Sequence, residues 1–289
     1  MKDMFKTIKV LLWLLLFTVL TAYLVGYIFQ APSGNVAHIR IRGEILSEEG
    51  FFMSGVSSQK IVDRINRASA DPKIEAILIE INSPGGTVVA SREVANALKE
   101  VDKTTVCWMR DIATSGAYWV ASSCDKIIAD DFTITGSIGV SGSYLEFSGL
   151  FEKYGVGYVR LISGDGKDIG TPFREPTTQE LETLQNMIDR IQEVFVRDVA
   201  ENRQLSIDYV NEISDSSIIL GMDALEFGLI DYLGGKKEAI ELVRTEANLT
   251  EVSLLEYRDE LSFFDLVSMS VSQRFFEHMI SRKVDIKAI

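Results

Sequence analysis

Ile74-Glu75-Ala76-Ile77-Leu78-Ile79-Glu80-Ile81 runs straight into Asn82-Ser83-Pro84-Gly85-Gly86, and the reading of this stretch decides the fold. Its first eight residues are rich in isoleucine and nearly continuous in apolar character, the pattern of a strand covered on both faces. A proline and two glycines then stop the strand. The helix that follows carries Val94, Ala97, Leu98 and Val101 at i, i+3, i+4 and i+7. The same alternation continues outward. Upstream, Val36–Arg42 alternates like a strand, and Ser57–Ala70 places Ile61, Val62, Ile65 and Ala68 on one helical face. Downstream, Thr104–Met109 reads as a strand, Gly116–Ser123 as a short helix and Lys126–Ala129 as a strand. Strands alternating with helices build βαβ units on a mainly parallel sheet, so the fold class is α/β.

Beyond Gly155 the pattern loosens to a strand at Gly157–Ile162 and a glycine-rich loop at Ser163–Gly170. Thr177-Thr178-Gln179-Glu180 is a capping box that opens a long helix. The apolar stripe of that helix, Leu181, Leu184, Ile188, Ile191 and Phe195, is expected to be core. Ile218–Tyr232, Lys236–Asn248 and Val252–Tyr257 read as helices and one strand, and Phe263–Ile280, rich in Phe and Met and amphipathic in places, as core, a subunit contact or a membrane-surface helix, packing first. Residues 251–289 are assigned to packing or subunit contact.

The 289 residues, 46% of them hydrophobic, suit one or two globular domains with a substantial core. A formal net charge of −13 offers no basic surface to nucleic acid. Two cysteines (Cys107, Cys124) and two histidines (His38, His278) lack the spacing of a structural metal site, so no metal or cofactor is expected. Two buried thiols are the expected state of the cysteines. Val10 to Phe29 is almost unbroken apolar sequence with no charge between Lys9 and Arg40, and at ~1.5 Å per residue it covers the ~30 Å hydrocarbon core of a bilayer. Lys2, Lys6 and Lys9 precede it, which holds the N-terminus in the cytoplasm. Gln30-Ala31-Pro32-Ser33 is a poor cleavage site for a signal peptide. The expected organisation is a cytoplasmic segment (1–9), a single transmembrane anchor (10–30) in the cell membrane and an extracytoplasmic domain (31–250).

Two loops have the composition that chemistry needs. Paired glycines at Gly85-Gly86 let the backbone turn and leave N–H groups unshielded, as an oxyanion hole requires, although such pairs commonly mark nothing but a tight turn. Ser115, in Asp111-Ile112-Ala113-Thr114-Ser115-Gly116-Ala117-Tyr118-Trp119, stands between a strand and a helix that starts with small residues. Such a serine is either a helix N-cap or a nucleophile, and pattern alone leaves both open. A serine nucleophile needs a base, and neither histidine lies near a glycine-rich loop. Lysine is the remaining common choice, provided burial lowers its pKa from ~10.4 to ~7, a cost of roughly 4–5 kcal/mol. Lys167, in Ser163-Gly164-Asp165-Gly166-Lys167-Asp168-Ile169-Gly170, is the candidate, with a solvated surface charge as the alternative.

At these residues the sequence resembles the signal peptide peptidase A (SppA) family, in its short single-domain form, which belongs with the Clp protease and crotonase folds. The resemblance covers roughly residues 36–235. It rests on Asn82-Ser83-Pro84-Gly85-Gly86, Ser115-Gly116-Ala117-Tyr118-Trp119, Thr135-Gly136-Ser137-Ile138-Gly139-Val140, Lys167-Asp168 before Pro172 and Arg174, and Gly228-Leu229-Ile230-Asp231, in that order. It implies a serine endopeptidase with a Ser-Lys dyad. Ser115 matches the nucleophile, Lys167 the general base and Ser137 the serine that orients the lysine, while Gly86 and Gly116 match the oxyanion-hole positions. The family's long forms pair two such domains and supply the lysine from the other half. The short form carries both residues and assembles as a homo-oligomer. The implied substrates are apolar peptides such as remnant signal peptides. One departure is the acidic company of Lys167, since Asp168 beside the amine would hold it protonated.

Two other readings share these residues. A crotonase-like acyl-CoA enzyme would use Gly86 and Gly116 for a thioester oxyanion and would have no need of Ser115. An inactive oligomeric scaffold would bind peptides without cutting them.

Overall fold

The computed structural model describes residue 6 and residues 11–21, 33–48, 55–214 and 216–258. The Phe263–Ile280 segment, His278 and residues 10 and 22–30 of the expected anchor lie outside the described residues. Residues 11–21 are helical and exposed. Among the described residues no helix is long and apolar enough to cross a membrane.

Strands β1 (Val36–Arg42), β4 (Ala76–Ser83), β5 (Thr104–Ala113), β6 (Lys126–Ala129), β9 (Tyr232–Leu233) and β10 (Leu254–Glu256) form one sheet in the order β10-β1-β4-β5-β6-β9. Every pairing in that path is parallel. The α/β expectation therefore holds. β7 (Ile134–Gly136) pairs with β5, and β8 (Ile218–Leu220) runs antiparallel to β7. A separate ribbon joins β2 (Glu44–Leu46) to β3 (Gly55–Ser57).

The apolar run that decides the fold becomes central strand β4, and its alternation separates two cores. Ile77, Ile79 and Ile81 face the larger core, beneath helices α1 (Ser58–Ala70), α2 (Val88–Lys99), α3 (Gly116–Ser122) and the C-terminal half of α5 (Thr178–Arg203). Ala76 and Leu78 face the smaller core under Ala239, Leu242 and Val243 of α8 (Lys236–Glu246). A strand so enclosed tolerates no polar side chain on the larger-core face, and truncating Ile79, fully buried, to alanine would cost about 2–5 kcal/mol. The one carboxylate of β4 inside the sheet, Glu80, is buried but satisfied. It accepts from His38 Nε2 at 2.9 Å, Arg42 at 2.7 Å and Arg110 at 3.2 Å. His38 is thus a structural residue of the second face.

The remaining elements are α4 (Ser148–Lys153), α6 (Ile207–Ile213) and α7 (Gly221–Glu226). Four expectations need correction. Gly157–Ile162 forms no strand, because no described strand lies beside it to pair with; Val159 and Leu161 are more than four-fifths exposed. The stripe of α5 is core only from Phe195 onward, since the N-terminal turns project past the sheet and leave Leu181 half exposed. Ile218–Tyr232 divides into β8, α7 and β9 instead of forming one helix. Gly221 and Gly228 enforce the breaks, the first because a Cβ there would lie 2.0 Å from the Asp130 carbonyl oxygen, the second through its φ of +72°. Finally, Cys107 and Cys124 are joined as a disulfide with Cα atoms 5.8 Å apart, well within the span such a bond requires. Cys107 lies in β5 and Cys124 two residues past α3, so strand and helix pack back to back and bring the sulfurs together.

Candidate active site

The site lies where β4 and β5 end on the same edge of the sheet. Their register shifts between Ile81 and Ser83, which frees the chain to turn. The Asn82–Gly86 loop is then fixed from several sides. Asn82 donates to Asp111 at 3.0 Å and accepts from the Ile112 N–H at 3.2 Å. The Gly85 N–H donates to Ser83 Oγ at 3.1 Å, and Thr114 Oγ1 donates to the Pro84 carbonyl at 3.0 Å. Ile45 grips the loop by a one-residue bridge to Gly86, in which the Ile45 N–H donates to Gly85 O at 2.8 Å and the Thr87 N–H to Ile45 O at 2.9 Å. In a bridge of that type the central residue points its own N–H the other way, toward the cleft.

Glycine is obligatory at position 86 of this loop and closely fitted at position 116 of the helix start. A Cβ on Gly86 would sit 1.9 Å from Ile45 O, and one on Gly116 would sit 2.2 Å from Ser91 Oγ. That Gly116 position is also 3.3 Å from the Gly86 nitrogen, so the two glycines are neighbours. Neither donates its N–H to another described residue. The pair has the arrangement an oxyanion needs: two adjacent free donors at a loop and a helix start.

Ser115 precedes α3 with φ 53° and ψ −126°, a region that a non-glycine residue occupies only when its surroundings force it. The forcing contacts are its N–H to Gly136 O at 2.9 Å and its carbonyl, which accepts from the Trp119 N–H at 3.0 Å. Its side chain makes no cap hydrogen bond. The N-cap alternative is thereby not realised, and the sharp strand-to-helix turn presents the hydroxyl to the cleft in the manner of a nucleophile elbow. Ser137, with φ 49° and its N–H on Ser217 O at 2.7 Å, faces the same space. The cleft has a volume of about 310 Å³, and Gly86, Ser91, Ser115, Gly116, Trp119 and Ser137 are among its walls.

Lys167 is not in that wall. It lies exposed in the Ser163–Gly170 turns, its N–H on Gly164 O at 3.1 Å. The structure thus brings together four of the five residues expected at the site and leaves the lysine outside. The Asp168 carboxylate accepts from Arg160 at 2.6 and 2.7 Å and from Arg174 at 3.0 and 3.2 Å, which holds its pKa far below the usual carboxylate range. Arg174 reaches on to Glu180 at 2.5 and 2.8 Å, and this pairing, with the Thr177 N–H second, pulls the Glu180 carboxyl down to about 2. The lysine loop is therefore tied through Asp168–Arg174–Glu180 to the capping box at the start of α5, where Thr177 and Glu180 cap each other. The capping box is visible in the sequence; the arginine ladder attached to it is not, because Arg160, Asp168 and Arg174 lie outside helices and strands, where no period marks which charges meet.

Trp119 is a second residue whose part the sequence does not disclose. Its indole stacks on Phe195 with ring centroids 4.4 Å apart and donates Nε1–H to Asp198 at 3.2 Å, which fixes one wall of the cleft.

Residues 97–250 match the model of peptidase family S49. The chain is 32% identical over 241 residues to "Putative signal peptide peptidase SppA" of Enterococcus faecium, covering 81% of this chain and 70% of that one. It is 37% identical over 219 residues to "Putative protease slr0021" of Synechocystis, covering 74% of this chain and 75% of that one. It is 36% identical over 198 residues to "Putative protease MJ0651" of Methanocaldococcus jannaschii, covering 68% of this chain but 64% of that one, a little under two thirds. The family match, residues 97–250, spans Ser115, Ser137, Lys167 and α8 and covers more than half of the chain, and on this basis the chain belongs to peptidase family S49, with the SppA-type proteases.

Proposed function

We propose that this protein is a serine endopeptidase in which Ser115 attacks the peptide carbonyl and the Gly86 and Gly116 N–H groups hold the resulting oxyanion. The observation that carries the reading is the strained, uncapped Ser115 beside two adjacent unpaired N–H donors in one cleft. A merely structural serine would relax to a cap, whereas a nucleophile gains from being held exposed. The rival acyl-CoA reading leaves the strain at Ser115 without purpose.

Lys167 is the general base, supplied to Ser115 by a neighbouring copy of the chain. Its exposure on a tethered loop supports this, as does the exposed apolar surface of the same excursion, where Leu145, Tyr154, Val159 and Leu161 are each more than two-thirds exposed. Ser137 then holds the incoming amine. Lys167 takes the Ser115 proton as the hydroxyl adds to the carbonyl and gives it to the leaving amine; water, activated by the same amine, hydrolyses the acyl-enzyme. Substrates are apolar peptides such as remnant signal peptides, lying extended across the cleft. The anchor at 10–30 holds the chain in the cell membrane with its catalytic domain outside the cytoplasm, and the Cys107–Cys124 disulfide suits such an oxidising compartment. A serine-directed acylating probe tests the core of this: labelling at Ser115, abolished in Ser115→Ala and accompanied by loss of peptide hydrolysis, is expected. Undiminished hydrolysis by Ser115→Ala would refute it.

A further inference from the structure

Behind Trp119 lies a second groove of about 350 Å³ that shares Val88 and Trp119 with the nucleophile cleft, so the two are contiguous. The indole is the partition between them, and its stacking and hydrogen bond keep it from swinging across either side. Met187 and Ile191 make the far wall, and Met187 is 57% exposed, which leaves the groove open. Two cations, Arg92 and Arg190, border this apolar space, and no carboxylate lines it. In a chain of net charge −13 such a pair beside an apolar groove is unusual. Arg92 touches one acidic group, Asp198, at a loose 3.9 Å, while Arg190 makes no ion pair among the described residues.

We infer that this groove is a substrate subsite that recognises the free α-carboxylate of an apolar peptide, the apolar wall taking the last side chain and Arg92 and Arg190 the terminus. The guanidinium fork matches a carboxylate in two parallel hydrogen bonds, which neither an internal peptide bond nor a terminal amide can accept as strongly. The inference rests on the peptidase reading, because the groove acquires this meaning from opening onto Ser115.

The test is binding, measured by fluorescence anisotropy on the full-length Ser115→Ala protein, with one labelled apolar peptide prepared as the free acid and as the C-terminal amide. Hydrogen bonds to charged groups are strong, but the exposure of both arginines places the effect at the low end, a preference for the acid of roughly tenfold. Arg190→Ala should reduce that ratio to about one while the amide binds as before, and Arg190→Lys should restore part of it. Equal affinity for acid and amide, or an Arg190→Ala change that weakens both alike, overturns the inference; the second result would point to a second copy as the groove's occupant. Hydrolysis is scored separately on wild type with both peptides. Absence of hydrolysis with the acid preference intact would count against the peptidase reading and not against the subsite.

Discussion

Gly86→Ala is the substitution whose consequence follows most directly from the geometry. The new Cβ would lie 1.9 Å from the Ile45 carbonyl oxygen, where contacts below 3.0 Å do not occur, so the backbone must retreat by about an ångström. The atom in the way is backbone, held by its own bonds to Gly85 and Thr87, and cannot swing aside as a side chain would. Retreat therefore weakens one or both of those bonds, worth about 1 kcal/mol each, and draws the Gly86 N–H away from the oxyanion. Losing one such donor costs roughly 10²–10³ in kcat, about 2.7–4 kcal/mol. Steady-state hydrolysis of a fluorogenic apolar peptide, with a thermal melt on the same sample, separates the two effects. A fall in kcat of at least a hundredfold with KM changed little, and a Tm lowered by only a few degrees, is expected. A folded Gly86→Ala protein that keeps kcat within about threefold of wild type would refute the oxyanion assignment, since uniform binding loss would appear in KM instead.

Three further outcomes are expected. Arg174→Ala should release Glu180 and leave Asp168 with Arg160 as its arginine partner. Both carboxyls have folded-state pKa values below their ordinary ones, so their stabilisation is present above pH ~4 and is lost as pH falls toward the folded values; the variant should show a flatter acid limb in Tm against pH and faster proteolytic nicking at 163–170. Burial lowers the His38 pKa below 6.5 despite the facing Glu80, with Lys236 and Arg40 adding to the effect. Its neutral form is the stable one, so stability should be full above pH 6.5 and decline below it, and His38→Gln should remove that part of the slope between pH 6.5 and 5 in urea melts. Cys107→Ala or Cys124→Ala should lower stability by about 3 kcal/mol, the chain-entropy value for a closed loop of 17 residues' separation, with wild type in reductant approaching the same Tm; an unchanged Tm in all three would argue against the disulfide.

Much of the architecture is legible because it depends on patterns with a period. The run Ile74–Ile81 could only be a strand with both faces covered, and the two cores on either side of β4 are the result. The loops of the candidate site are legible as sharp turns, but pattern leaves Ser115 between N-cap and nucleophile and Gly85-Gly86 between tight turn and oxyanion hole, and their roles come from the resemblance to the SppA family. What escapes is long-range pairing. Nothing local in Cys107 and Cys124 distinguishes two buried thiols from a disulfide, since the outcome depends on how α3 packs on β5. The Gly157–Ile162 segment has a strand's composition and no partner for its edge, and the stripe of α5 continues past the sheet that would have covered it. Under the proposed mechanism the apolar surface of the Gly157–Ile162 segment and Lys167 belong together to a contact between copies, whereas Ile191 of the α5 stripe belongs to the groove behind Trp119.

Complementation tests the shared dyad most directly. Ser115→Ala and Lys167→Ala chains, each inactive alone, are co-expressed at full length, purified as mixed assemblies and assayed for hydrolysis of a fluorogenic apolar peptide. If Lys167 of one copy serves Ser115 of the next, mixed assemblies recover a substantial fraction of wild-type kcat, because some interfaces join an intact serine to an intact lysine. Mixed assemblies as inactive as either parent would contradict a shared dyad, and activity in Lys167→Ala alone would show that Lys167 is not the base at all.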